Sequence, residues 1–338
     1  MVVFLYLASY FAFSFTTKLL GKTAPGPVLV LASLFTCFGV WSVGLLVEYL
    51  SKQKKTKPNA LPIAKLPTPP LISQILPHLF RRDVVIVATM SALIIVSSTL
   101  AYSMPGVSLL LPLLLMKGGP NIWAPIVDWW NGSEITHRAR IVFALAIVAV
   151  VAALWSKISI AASFGVTATV GCALVYMFAY FPKLKIMARY RGDLVFLIAD
   201  MTTTLLIALP LVGTLVLVKY GAAGLLAAIK LLANYKVWVM GAASEGAGLF
   251  GGLVFLAKTE STLSVPINRC SSLLGGTLAT LTLWWLDGGT MLDWASKNVP
   301  EIVGVLAMMA ALVIGVGRGG GYGRRDVGMG LATVPSPA

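Results

Sequence analysis

Apolar runs of about 20 residues follow one another along almost the whole chain, with short charged segments between them. A helix rises 1.5 Å per residue, so a run of this length crosses the roughly 30 Å hydrocarbon core of a bilayer. Because an unpaired backbone amide is costly in lipid, such runs predict helices. We therefore predict an all-α polytopic membrane protein with ten transmembrane helices, near 2–20, 27–49, 84–104, 107–129, 139–155, 159–181, 194–218, 237–257, 264–286 and 300–317.

Composition agrees with lipid as the solvent of this chain. Of its 338 residues, 58% are hydrophobic and 11% are charged, which is more apolar material than a soluble core of that length can bury. A net charge of +14 is typical of proteins that bind nucleic acid. The Lys and Arg residues, however, lie in short runs between apolar stretches and form no basic domain, so we expect no nucleic-acid partner.

The distribution of Lys and Arg predicts the orientation, because cytoplasmic loops are enriched in both. The predicted loop 51–83 carries the largest cluster, and this side of the membrane is therefore taken as cytoplasmic together with both termini. We interpret that loop as a solvated basic segment, with contact to lipid headgroups or to a partner as alternatives. The plasma or inner membrane is the default location. Later residues assigned to cytoplasmic loops are Arg138, Arg140, Lys183, Lys185, Arg189, Arg191 and Lys258.

The two ends of the chain and one internal segment complete the predicted topology. The N-terminus is apolar from Met1 onward without a basic region, so it is interpreted as a first span rather than a removed signal peptide. Residues 318–338 are predicted to be a flexible cytoplasmic tail. The apolar segment 221–234 is interpreted as an interfacial or re-entrant helix.

A weak internal repeat indicates how the spans are organised. Ser108 to Pro112, then Lys117 and a Trp pair, recur in the same order as Ser264 to Pro266, Arg269 and a second Trp pair. Five spans followed by five spans must enter the membrane in opposite orientations. The sequence thus predicts two inverted five-helix repeats, 1–156 and 157–317, an architecture that recurs among carriers.

Two short stretches carry a resemblance to a known family. Leu111-Pro-Leu-Leu-Leu-Met-Lys-Gly-Gly119 resembles the fourth helix, and Tyr10-Phe-Ala-Phe-Ser-Phe-Thr-Thr-Lys18 the first helix, of the drug/metabolite transporter superfamily, which includes EamA-type and nucleotide-sugar or triose-phosphate carriers. The resemblance implies ten helices in two inverted fives around a central solute site. The chain departs from the phosphate-exchanging members in the ninth span, where Arg269 stands alone among Asn268, Cys270 and Ser271 instead of in a Lys-Arg pair.

Four charged residues within the predicted spans indicate a functional site, since each costs a few kcal/mol at the bilayer centre unless it is paired or wetted. Lys117, Asp200, Glu245 and Arg269 are predicted to face a central cavity. In one hypothesis Lys117 and Arg269 bind an anionic group, and Asp200 or Glu245 carries a coupling proton. In the alternative, Lys117–Asp200 and Arg269–Glu245 are internal ion pairs. Asn268, and Trp123 as a ring-stacking residue, complete the predicted substrate-binding set.

The function predicted from these features is secondary transport of a small, anionic or phosphorylated metabolite by alternating access. A non-transporting scaffold or assembly protein, and a lipid-modifying membrane enzyme, are the alternatives. The chain has no HExxH, GxSxG, P-loop or DxD motif, and its three cysteines have no metal-ligand spacing, so we expect no enzyme activity, cofactor or metal. The expected partners are the solute and the lipid bilayer, and a homodimer is left open.

Overall fold

A computed structural model describes residues 1–55, 70–104, 106–130, 137–155, 164–256 and 261–316. Every regular element within these ranges is a helix, including a short 3-10 turn at Leu76–His78. The predicted tail 318–338 lies outside the described residues. The α-helices are α1 Val2–Gly21, α2 Gly26–Lys55, α3 Leu71–Ile75, α4 Arg82–Ser103, α5 Leu110–Trp130, α6 His137–Trp155, α7 Phe164–Met187, α8 Leu194–Leu231, α9 Tyr235–Leu256, α10 Ser261–Leu286, α11 Met291–Lys297 and α12 Val299–Val316.

Six of the described helices are long and apolar enough to cross a membrane, namely α1, α2, α4, α7, α8 and α9. Helices α6 and α12 contain shorter apolar stretches, Arg140–Ala152 and Ile302–Ala311. The chain is thus a helical protein with several apolar helices of spanning length, as expected for a multi-pass membrane protein. The full set of ten spans stays a prediction, with the remaining four predicted spans falling on α5, α6, α10 and α12.

The long helices bury a stripe and expose an apolar face. In α1 the buried residues Tyr6, Tyr10, Phe13 and Thr17 recur at intervals of three and four, which places them on one side of a helix. Phe4 on the same helix is 70% exposed. In water such an exposed aromatic side chain would be unfavourable, whereas in lipid it is solvated by acyl chains. The buried face of each long helix therefore supplies the side chains that line the interior of the molecule.

Small residues let the helices around α1 approach closely. A methyl group at Gly275 of α10 would lie 2.8 Å from the carbonyl oxygen of Leu7, which is too close for a real contact. Close approach of this kind is how helices pack in membranes, where no hydrophobic force drives them together. Helix α1 packs against α9 and α10, while α4 packs against α7 and α8, and these helices surround the centre of the molecule.

Helix α8 continues beyond the span predicted for it. Its backbone is helical from Leu194 to Leu231 except at Gly221, where φ is 63° and ψ is −164°. The segment 221–234, predicted as a separate interfacial or re-entrant helix, is thus mostly a helical extension of α8 after a break. A conformation in this region is essentially limited to glycine, which explains why the break falls at this residue.

Candidate functional site

The predicted intramembrane charges surround one cavity of about 130 Å³ at the centre of the helices. This volume is about ten times the 10–15 Å³ that one buried water needs, so a small solute fits. Lys117 enters from α5, Asp200 from α8, Glu245 from α9, and Asn268 and Arg269 from α10. The structure thus brings together residues that are far apart in sequence. Whether they bind a solute stays a prediction.

Tyr176 of α7 is hydrogen-bonded to both cations, Lys117 and Arg269. Its hydroxyl oxygen accepts a hydrogen bond from Lys117 Nζ at 3.1 Å and another from Arg269 Nη1 at 2.6 Å. Two positive groups thus share one neutral acceptor. A phenol oxygen has lone pairs for both bonds but no charge to balance them.

Aromatic rings hold both cations in place. The guanidinium carbon of Arg269 lies 4.0 Å from the ring centre of Tyr180, and Phe255 flanks it at 5.7 Å. Lys117 Nζ lies 4.2 Å from the ring centre of Tyr10. Ring faces carry partial negative charge, so each contact is attractive and strengthens when water is excluded. These rings orient the cations without neutralising them.

The cations are almost completely shielded from solvent and have no acidic partner among the described residues. Lys117 is 2% exposed and Arg269 is 1% exposed. Two nitrogen atoms of Arg269, Nε and Nη2, have no hydrogen-bond partner within the part of the chain that is described. Buried charges are normally paired, since an isolated ion is costly in a medium of low dielectric constant. These nitrogen atoms of Arg269 are donors of the kind that form charge-assisted hydrogen bonds with oxyanions.

A second polar cluster lies on the same cavity and is internally balanced. Asp200 lies 3.7 Å from Lys183 Nζ, and it accepts hydrogen bonds from Ser91 Oγ at 3.1 Å and Thr204 Oγ1 at 3.2 Å. Lys183 also donates to Ser91 at 2.6 Å. The cation beside Asp200 is thus Lys183, whereas the alternative hypothesis paired Asp200 with Lys117. Lys183 was assigned to a loop, but it lies within α7 and lines the cavity.

Glu245 and Asn268 occupy the remaining polar positions. Glu245 is 9% exposed, and its Oε2 atom has no hydrogen-bond partner among the described residues. Among those residues the structure shows no ion pair between Glu245 and Arg269, the second pair of the alternative hypothesis. Asn268 accepts a hydrogen bond from the Tyr6 hydroxyl at 3.1 Å and donates to the carbonyl of Gly251 at 3.4 Å.

Trp123 lies away from the cavity. Its indole N–H donates to the carbonyl oxygen of Met177 at 2.9 Å, and its ring packs against Phe178 and Phe181. The structure therefore gives Trp123 the role of fastening α5 to α7. The predicted stacking of this ring on a solute has no support in this position.

Sequence reasoning missed the tyrosines of the site. Tyr10 and Tyr176 belong to the buried stripes of α1 and α7, and Tyr102 of α4 hydrogen-bonds the Tyr10 hydroxyl. An available signal was the pattern itself, since a buried tyrosine within an apolar span needs a polar partner for its hydroxyl. No group of three His, Cys, Asp or Glu that could hold a metal ion occurs in the described part of the chain.

No protein-family model and no curated protein matches the sequence at a significant level. The resemblance to the drug/metabolite transporter superfamily therefore rests on the stretches Leu111–Gly119 and Tyr10–Lys18 alone. The functional argument rests on the cavity and on the charges that line it.

Proposed function

We propose that this protein is a secondary carrier for a small anionic metabolite, with carboxylates and phosphate esters as the substrate class. The observation that carries the proposal is the pair Lys117 and Arg269, which are buried, adjacent to one cavity and bonded to the same Tyr176 oxygen. Neither has an acidic partner in the described part of the protein. An anion in the cavity would supply the missing counter-charge, and its oxygen atoms would accept the free N–H groups of Arg269.

The remainder of the cavity favours a polar organic solute over a lipid tail. The phenol groups of Tyr6, Tyr10 and Tyr176, the amide of Asn268 and the hydroxyl of Ser91 all line it. Hydroxyl and amide groups bind the oxygen atoms of a small metabolite with defined geometry. We therefore place the acidic group of the solute at the cations and its uncharged polar part at these hydroxyl and amide groups.

Helix packing supports the part of the proposal that concerns alternating access between two inverted repeats. The pattern of contacts is largely preserved when α1 is exchanged with α7, α2 with α8, α4 with α9, α5 with α10, and α6 with α12. Thus α1 packs on α9 and α10 while α7 packs on α4 and α5, and α2–α8, α5–α10 and α6–α12 each pair with themselves under the exchange.

Residues of the site obey the same exchange. Lys117 and Arg269 each lie about two turns after the start of α5 and α10. Tyr10 and Tyr176 each lie equally far before the ends of α1 and α7, at Gly21 and Met187. A site built twice by related halves fits a carrier in which the halves rock around a solute at the midplane.

The test is a thermal-shift screen of the purified protein in detergent. The panel comprises sulfate, inorganic phosphate, pyruvate, glycerol phosphate, hexose phosphates and nucleotide-sugars, with glucose as a neutral compound. A ligand that binds only the folded state raises the apparent Tm. We expect an anion to raise the Tm of wild-type protein and to lose this effect in Arg269→Met and Lys117→Met.

A matched control is Lys22→Met, which removes a cation from the ion pair Lys22–Asp287 outside the cavity. This variant should keep the anion-dependent shift. Uptake of the same anion into proteoliposomes is then measured. Anion binding without uptake would contradict the carrier and favour a scaffold, whereas conversion of the anion to a product would favour an enzyme.

A further inference from the structure

Glu245 is a buried acidic residue of the cavity that has no ion-pair partner among the described residues. Its side chain is 9% exposed and lines the cavity, and its Oε2 atom has no hydrogen-bond partner among the described residues. An unneutralised carboxylate in such a position is unfavourable, because burial removes it from solvent and no cation among the described residues pairs with it. The atom needs either a cation or a proton.

None of the described neighbours of Glu245 forms an ion pair with it. Helix α9, which carries it, packs against α1, α2, α8 and α10. The Cys37 thiol donates to the carbonyl of Gly241 and also lies beside the Glu245 side chain, but it carries no positive charge. Arg269 directs Nη1 to Tyr176, and Asp200 is held by Lys183. The titratable groups that these four helices present to the cavity or to α9 are Tyr6 and Tyr10 from α1, Cys37 from α2, Asp200 from α8 and Arg269 from α10.

The two acidic residues that line the cavity, Asp200 and Glu245, differ in their partners. Asp200 has a lysine at 3.7 Å and two hydroxyl donors, so its negative charge is stabilised. Glu245 lacks an ion pair among the described residues and faces the open volume of the cavity. Of the two acidic residues, only Glu245 is placed to gain and lose a proton without breaking an ion pair.

We infer that Glu245 is a proton-binding site of the carrier, so that an anion and a proton cross the membrane together. The inference rests on the proposed function. On one side of the membrane a hydronium ion transfers a proton to Oε2 of Glu245, forming the carboxylic acid and releasing water. On the other side the O–H bond breaks and the proton returns to water. No electrons are transferred, and the proton balances the charge that a monovalent anion carries across the membrane.

The proton site is tested first without any solute, by infrared spectroscopy of purified protein at neutral pH. The chain has 12 acidic residues, so the band of a protonated carboxyl group can be assigned with one substitution. We expect this band in wild-type protein, a shift in heavy water, and loss in Glu245→Gln. A wild-type spectrum without a protonated carboxyl band overturns the proton site.

Coupling is tested in proteoliposomes with radiolabelled pyruvate and sulfate, two anions that do not themselves gain protons near neutral pH. An inward proton gradient should increase their uptake at least about threefold, and Glu245→Gln should remove the increase. The control Glu48→Gln changes a glutamate outside the cavity lining and should keep the increase.

The outcomes separate the inference from the proposed function. If anion uptake by wild-type protein is the same with and without a proton gradient, the coupling is overturned. This result does not depend on whether Glu245→Gln folds. Failure of both anions, and of the whole anion panel, to bind or enter overturns the proposed function. The infrared band then still decides whether Glu245 holds a proton.

Discussion

The cavity has two charged regions that are built in opposite ways. On one side Lys183 and Asp200 form an ion pair with Ser91 and Thr204 as hydrogen-bond partners. On the other side two cations, Lys117 and Arg269, share a tyrosine oxygen, and no carboxylate pairs with them among the described residues. The first region is satisfied by the protein itself. The second region holds positive charge that no carboxylate among the described residues balances.

The two charged regions are expected to contribute differently to stability and to ligand binding. A balanced pair contributes to the folded state, since removal of one partner leaves a buried charge. Two like charges repel each other in the ligand-free state, and under the proposed function an anion would relieve this repulsion. Substitutions in the two regions should therefore change different measurements, namely stability for Lys183 and Asp200 and anion affinity for Lys117 and Arg269.

The largest effect is expected from Lys183→Met. This change leaves Asp200 buried without its cation, and loss of one partner of a buried pair costs about 3 kcal/mol of the free energy of unfolding. Denaturant titration in detergent micelles measures the loss. The double variant with Asp200→Asn should recover more than half of it, because the uncompensated charge is gone. A double variant no more stable than Lys183→Met would mean that the ion pair contributes little.

Arg269→Met should show the opposite profile. The ligand-free protein should change in stability by less than about 1 kcal/mol, since replacing a buried ion by an apolar side chain is often neutral. Anion affinity, taken from the concentration dependence of the Tm, should fall about 10- to 100-fold because charge-assisted hydrogen bonds contribute about 1.5–3 kcal/mol. A large loss of stability with unchanged affinity would make Arg269 a structural residue.

Arg269→Lys keeps the positive charge at this position and changes the geometry of its donors. A lysine offers a compact ammonium group in place of the planar fork that now bonds Tyr176 and stacks on Tyr180. Affinity should fall about tenfold, which is less than in Arg269→Met. Equal losses in the two variants would show that geometry, and not charge, determines binding.

A moderate effect is expected from Tyr190→Phe, outside the cavity. The Tyr190 hydroxyl donates to Asp83 at 2.6 Å and accepts from Arg81 at 3.1 Å. Its loss should cost about 1 kcal/mol. The hydrogen bond to Asp83 raises the pKa of Tyr190, so this contribution should be complete at neutral pH and disappear as the pH rises above about 10. Stability measured against pH in wild type and variant should converge in that alkaline range.

The smallest effect is expected from Asp287→Asn. The ion pair Lys22–Asp287 has an N–O distance of 2.9 Å, but its side chains are 48% and 62% exposed. Exposed pairs contribute less than about 1 kcal/mol because solvent screens them. Anion affinity should not change. A variant that loses anion binding would show that charges outside the cavity also attract the solute.

Much of the fold could be predicted because lipid imposes a simple rule on apolar runs. The span predicted at 237–257 corresponds to α9, Tyr235–Leu256. The extension of α8 through Gly221 could not be predicted, since a glycine in an apolar run indicates an end as readily as a break. The number of spans and the inverted repeat stay predictions.

The candidate site was predicted in part, for a related reason. Lys117, Asp200, Glu245 and Arg269 stand out in sequence because charges in apolar spans are rare, and all of them line the cavity. Their partners could not be predicted from sequence. Lys183 lies at a position that sequence assigns to a loop, and which cation faces Asp200 depends on how α4, α7 and α8 pack.

The break at Gly221 has a consequence for how α8 fits the bilayer. Its 38 residues would form a straight rod of about 57 Å, nearly twice the roughly 30 Å of hydrocarbon. A rod of that length would suffer hydrophobic mismatch, with apolar side chains such as Leu226 and Ile229, both more than half exposed, forced into water. The break at this one glycine ends the continuous helix after Tyr220, so the final turns need not follow the same axis out of the hydrocarbon.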